Sequence, residues 1–147
     1  MSEELITAYD IRGSEEDGLT IECAWNVGKA LADWLPSEGS VIVTYVPSRK
    51  HMAECVIEGL RLQGRNVISG PGDRDAAKAY IKDHALAGGA IVGYDDLEKI
   101  TVIELYRDEA KLIGGETGLH EIHDLVEAGN FVPAALKGDL KNLPDQN

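Results

Sequence analysis

The chain has 147 residues, of which 44% are apolar and 27% charged, the make-up of one globular domain with a real core. Acidic residues outnumber basic ones 26 to 14, and a net charge of −12 repels a phosphate backbone, so no nucleic-acid partner is expected. No run reaches the roughly 20 apolar residues of a membrane span, and Met-Ser-Glu-Glu is not the start of a secretory signal. No membrane contact is expected, and the expected location is cytoplasmic.

The first predicted element is a short strand, Leu5 to Ala8, entering a turn over Tyr9–Gly13. Thr20 is placed to cap a helix that runs to about Leu35 and closes at Pro36. Val41-Ile42-Val43-Thr44-Tyr45 is a β-branched run suited to a buried strand. Pro47-Ser48 opens a helix from about Arg49 to Gln63, stopped by Gly64. Asn66–Ser69 reads as a strand ended by Gly70-Pro71-Gly72, and Asp73 caps a helix to about Leu86. Gly89–Gly93 is a short apolar strand, and Ile100–Tyr106 a further one at a sheet edge. A Lys111–Ile113 return precedes a last helix, Gly118–Ala128, stopped at Gly129.

Strands separated by helices of about a dozen residues predict a three-layer α/β/α sandwich around a mostly parallel, mixed sheet. The expected domain covers residues 1–132. The polar stretch 133–147, broken by Pro and Gly, is expected to be a flexible tail. Cys23 and Cys55 lie in predicted helices without CxxC spacing, which points to buried thiols and not to a disulfide or metal site.

The helix after Thr20 carries two apolar stripes. Ile21, Ala24, Trp25, Gly28, Leu31, Ala32 and Leu35 form one, and Cys23, Val27, Ala30 and Trp34 the other. One stripe suffices to cover a sheet. The second is met either by a neighbouring helix of the same domain or by a subunit or partner protein, with Trp34 as the anchor.

Tyr9-Asp10-Ile11-Arg12-Gly13, the unit from Val41 through Val56-Ile57-Glu58-Gly59-Leu60 to Val67-Ile68, the strand Gly88–Val92 and the segment Ile103–Ile122 together resemble the first domain of the phosphoglucomutase/phosphomannomutase (α-D-phosphohexomutase) family. The resemblance covers nearly the whole chain and one of that family's four domains. It implies that the strand ending near Gly93 delivers a loop of the type Thr-Ala-Ser-His-Asn-Pro, whose serine carries a phosphoryl group. Here Tyr94 falls at the serine position and Asp95 at the histidine position. The lysine that the family places downstream aligns with Glu104, and Val46 and Ser48 stand where it has Asp-x-Arg. The family's metal loop and phosphate-binding module belong to its later domains. Phosphoryl transfer depends on positioned charge and metal, so no catalytic residue, metal or cofactor is assigned here.

Arg12 has two readings, a salt bridge to Asp10 or a hand on a ligand. Ser48, Arg49 and Lys50 stand at a helix start, where free N–H groups favour anions. If that loop and Arg12 share one sheet edge, as the resemblance implies, the four residues would hold a phosphate, such as that of a phosphorylated sugar. Gly70–Arg74 reads as a turn and cap. His120 and His123 suit surface pairs with Asp124 and Glu127 better than a metal. The leading expectation is a stand-alone relative of that first domain without catalysis of its own, acting as a binding or protein-interaction module, expected as a homodimer or bound to a partner protein through Trp34. The alternative is one piece of a split phosphohexomutase completed by a partner chain. A weaker third is a hydrolase built on Asp95 and Asp96.

Overall fold

The computed structural model describes residues 1–144. The described strands form one six-stranded sheet. They are β1 (Ile11–Gly13), β2 (Val41–Tyr45), β3 (Val67–Pro71), β4 (Gly88–Asp95), β5 (Ile100–Arg107) and β6 (Leu140–Asn142). Their order across the sheet is β1-β5-β4-β2-β3-β6. β4, β2, β3 and β6 run parallel, while β5 is antiparallel to both of its neighbours, β4 and β1. The β-branched run Val41–Tyr45 takes the interior place that its apolarity demands, and its first four residues are buried.

The α-helices among the described residues are α1 (Ile21–Trp34), α2 (Lys50–Leu62), α3 (Arg74–Asp83) and α4 (Leu119–Ala128). α1, α2 and α4 bury their apolar residues on one sheet face with Val41, Val43, Ala90, Val92, Ile103 and Leu105. α3 alone covers the other face, where Ala77 and Ile81 meet Ile42, Ile91 and Tyr106. Both predicted caps form: the Thr20 hydroxyl accepts from the Cys23 N–H at 3.1 Å and Asp73 from the Ala76 N–H at 2.9 Å.

Both stripes of α1 meet helices of the same chain, the first at α2 and the second at α4. α2 lies so close that a Cβ on Gly28 would stand 2.2 Å from the Val56 carbonyl oxygen, and one on Gly59 2.1 Å from that of Trp25. α4 takes the other flank. Trp34, expected as an interface anchor, is engaged there: its ring lies against Gly118, and its indole N–H donates to Glu121 at 2.6 Å.

Three expectations need correction. The first strand is not Leu5–Ala8, because Glu3–Leu5 is one turn of 3₁₀ helix capped by Ser2, and pairing with β5 begins only at Ile11. β5 is not an edge, because β1 adds to its outer side. Its alternation reflects one buried face, with Ile103 and Leu105 at 0% exposure, and a second face only partly covered. The stretch after residue 132 is not a loose tail. The Gly138 N–H donates to the Arg61 carbonyl at 2.8 Å, the Arg61 guanidinium donates to the Gly138 carbonyl at 2.9 Å, and Leu140–Asn142 extends the sheet beside β3. Its polar composition hid it because backbone bonds hold this strand and all three of its residues are exposed. Residues 145–147 of that predicted tail lie outside the described residues.

Candidate functional site

The segment of interest is where β4 turns into β5. The two strands pair without a break as far as Asp95 and Ile100, so only residues 96–99 make the turn. The Asp95 carboxylate accepts from the N–H groups of Leu97 (3.0 Å) and Glu98 (3.1 Å). The Lys99 N–H returns to the Asp95 carbonyl at 2.7 Å, with Lys99 in the left-handed region at φ 58°. Asp95, where the family motif has histidine, therefore closes a tight hairpin. The neighbouring position, Tyr94, lies under a guanidinium: Arg49 stacks on its ring at 4.6 Å and donates to the Thr101 hydroxyl at 3.2 Å.

Strand register decides which of the predicted phosphate ligands can work together. Arg12 pairs with Val102, which pairs with Gly93, so these three share one sheet face. Tyr94 and Thr101, the partners of Arg49, share the opposite face. Arg12 and the Ser48–Lys50 loop therefore reach the same edge from different sides and do not form the joint phosphate cradle that the family layout implied. Ser48 and Lys50 are exposed beside Arg49.

Arg12 takes the first of its two readings. Its Nε and Nη2 donate to the two carboxylate oxygens of buried Asp10 at 3.0 and 2.8 Å, and Asp95 lies 3.9 Å away. The Thr7 hydroxyl donates to Asp10 as well, at 2.8 Å. Burial by itself raises the pKa of Asp10, but hydrogen bonds from Arg12 and Thr7 and the Arg12 charge more than offset it and hold the carboxyl below its usual value. A depressed carboxyl contributes stability that is present in full above the unfolded-state pKa, near pH 4, and is lost as the pH falls through the lower folded value. Acid titration followed by circular dichroism should accordingly show stability falling below about pH 4, and Asp10→Asn should flatten that limb.

Glu104, at the position of the family's lysine, is held by Arg74 at 3.1 and 2.9 Å and accepts from the Tyr106 hydroxyl at 3.2 Å. Burial first, then the Glu104 charge, pushes the Tyr106 phenol up to about 12. The charge reversal is thus matched by a cation from the first turn of α3. Gly70–Arg74 is the expected turn and cap and also supplies this cation; the turn ends β3, three places from β5 across the sheet, a proximity that no local feature of the sequence signals. Among the described residues Arg49 is the one of these three arginines without a carboxylate partner, and its Nε is buried and unbonded.

The remaining candidates are structural. His123 is buried, its Nε2 2.6 Å from the Met1 carbonyl, and its Nδ1 is 3.3 Å from Asp124. No His, Cys, Asp and Glu cluster among the described residues could hold a metal ion. Burial pushes both cysteine thiols up, the reverse of an activated thiolate. No described helix is long and apolar enough to cross a membrane.

No family model matches the chain. A phosphomannomutase of Vibrio cholerae is 28% identical over 145 residues, covering 92% of this chain and 31% of that protein. A phosphohexose mutase of Xanthomonas campestris is 32% identical over 127 residues, covering 82% of this chain and 28% of that protein. The solved structure of a phosphoglucomutase/phosphomannomutase family protein from Burkholderia thailandensis superposes with a TM-score of 0.84 at 16% identity, over 97% of this chain and 33% of that one. The chain is related to one domain of the phosphohexomutase family. It spans about a third of the length of these two relatives. That likeness accounts for the mixed sheet and its lopsided helix layers. The hairpin at Tyr94–Lys99 is where this phosphohexomutase-like chain departs from the loop that the resemblance implied.

Proposed function

We propose that the chain is a binding or protein-interaction module linked to phosphosugar metabolism, without mutase activity of its own. The observation that supports this is the internal use of the β4–β5 turn. Tyr94 stands at the serine position beneath Arg49, Asp95 closes the hairpin, and Glu104 is neutralised by Arg74. Phosphoryl transfer needs a free nucleophile among charges aimed at the transferred group. Here Arg12 and Arg74 are committed to carboxylates. Anion binding would rest on the Arg49 side, with Ser48 and Lys50.

A coupled assay of glucose 1-phosphate and mannose 1-phosphate turnover should show no activity for the chain alone. Tyr94→Ser should not create any, because a new hydroxyl restores neither the base nor a metal. Turnover by either protein would overturn the reading. Titration of glucose 1-phosphate followed by amide chemical shifts should move residues 48–50, and Arg49→Gln should weaken that response at least tenfold. A response unchanged in that variant would remove Arg49 from the site.

A second reading, one piece of a split mutase, starts from the likeness of this chain to phosphomannomutases and phosphohexose mutases. It requires turnover to appear when chains carrying the remaining domains are added, with the nucleophile supplied from outside Tyr94.

A further inference from the structure

The strap that closes the outer side of β3 is held by polar bonds and by almost no burial. From Val132 to Asn142 every residue is exposed except Gly138. Besides the mutual bonds of Gly138 and Arg61, the Asp139 N–H donates to the Asn66 side-chain carbonyl, the Val67 N–H to the Asp139 carbonyl and the Leu143 N–H to the Ser69 carbonyl, each at 2.8 Å. Lys137 adds an ion pair to Glu58 at 2.6 Å. An exposed bond of this kind is exchanged for one to water with a small net loss, and a segment with so few buried apolar contacts opens locally far more readily than an interior strand. Once it opens, the bare N–H and C=O groups of β3 are a template for a strand from another molecule.

Two observations select the occupant. The slot beside β3 is shaped for this chain's own sequence. A Cβ at position 138 would stand 1.9 Å from the Arg65 carbonyl oxygen, so glycine is required there, and five residues later Leu143 lies over Gly70, where an added Cβ would come within 3.1 Å of it. The segment 137–143 of a second copy meets both conditions. The connection that leads into the slot is apolar and uncovered: Phe131 is packed against the core, but Val132 and Leu136, on either side of Pro133-Ala134-Ala135, are 80% and 83% exposed. When two copies exchange the strand, their connections pass each other in opposite directions about a two-fold axis, and each run covers the other.

We infer that two copies of this chain exchange residues 137–143, each β6 pairing with the β3 of the other copy, with the runs 131–136 forming a new contact between them. The full chain, incubated at millimolar concentration, should convert slowly to a dimer by light scattering and return slowly to monomer on dilution, because each exchange releases two strands. Ser69 and Asn142 are register partners, so a mixture of Ser69→Cys chains with Asn142→Cys chains should, on oxidation, give a disulfide between the two different chains, located at 69 and 142 by mass spectrometry. Gly138→Ala closes the slot to the strand and should lower the yield of that cross-link at least tenfold. Val132→Ser combined with Leu136→Ser changes side chains that are exposed in the monomer, so it should leave the monomer folded and raise the dissociation constant of the dimer at least tenfold. A chain that stays monomeric at millimolar concentration, a dimer without the 69–142 cross-link between different chains, or a dimer unchanged by the double serine variant would each overturn the inference. None of these results depends on Arg49 or on a phosphorylated ligand.

Discussion

Arg65→Met should destabilise the protein by about 3 kcal/mol, which for a domain of this size lowers the thermal midpoint by roughly 10 °C. The Arg65 guanidinium reaches back across the first helix layer to the C-terminal end of α1. Nε and Nη2 donate to the Ala32 carbonyl at 3.1 and 2.8 Å, and Nη2 also to that of Leu35 at 3.2 Å. Nη1 donates to the carbonyls of Ser37 at 2.7 Å and Gly39 at 3.2 Å. Carbonyls at a helix end have no partner within the helix, and a cation there also meets the negative pole of the helix dipole. Methionine keeps the stem packing and removes every donor. Arg65→Lys should recover less than half of the loss, because a single ammonium cannot span the fork of acceptors. Chemical denaturation of the three proteins measures both effects. Equal midpoints for Arg65→Met and wild type would mean that water replaces the guanidinium without loss.

Gly59→Ala should cost a similar amount, about 3 kcal/mol, for an opposite reason: an atom is added. The new Cβ would stand 2.1 Å from the Trp25 carbonyl oxygen, 2.8 Å from the Lys29 nitrogen and 3.1 Å from the Gly28 Cα. All three are backbone atoms, so no side chain can swing aside, and α2 must shift as a body. Gly28→Ala meets the Val56 carbonyl at 2.2 Å and should act alike. Because the two sites share one contact, the double variant should cost less than the sum of the two. Denaturation midpoints for the three variants test this; strict additivity would mean that the helices do not move together.

The layered arrangement was legible from the sequence because the signals were local. Thr20 and Asp73 cap the helices they precede, and the Val41–Tyr45 run lies at the interior of the sheet. The two stripes of α1 announced neighbours on two sides, but the sequence could not say that α2 and α4 of the same chain lie there. That distinction rests on Gly28 and Gly59, one residue on each helix, whose only message is the missing side chain. β1 and β6 escaped notice because each is three residues long and exists through pairing with a distant strand.

The candidate site was harder to read, because its geometry is set by register. Arg12 and Arg49 appear as equivalent cations in the sequence, yet a one-residue offset in the β4–β5 ladder sends their contacts to opposite faces. The Arg12–Asp10 bridge was foreseeable from two residues of spacing. The Arg74–Glu104 bridge was not, since it joins a helix start to a strand thirty positions on.

The placement of the two short outer strands also bears on the order in which the chain can assemble during synthesis. β2, α2 and β3 can dock as soon as they have been translated, but Ile11 has no ladder partner before Ile103 has left the ribosome. The outer side of β3 likewise stays bare until Leu140–Asn142 arrive. A nascent chain paused between those points would display an open, hydrogen-bond-hungry margin on each flank, the stage at which chaperone capture or self-association would compete with completion of the fold.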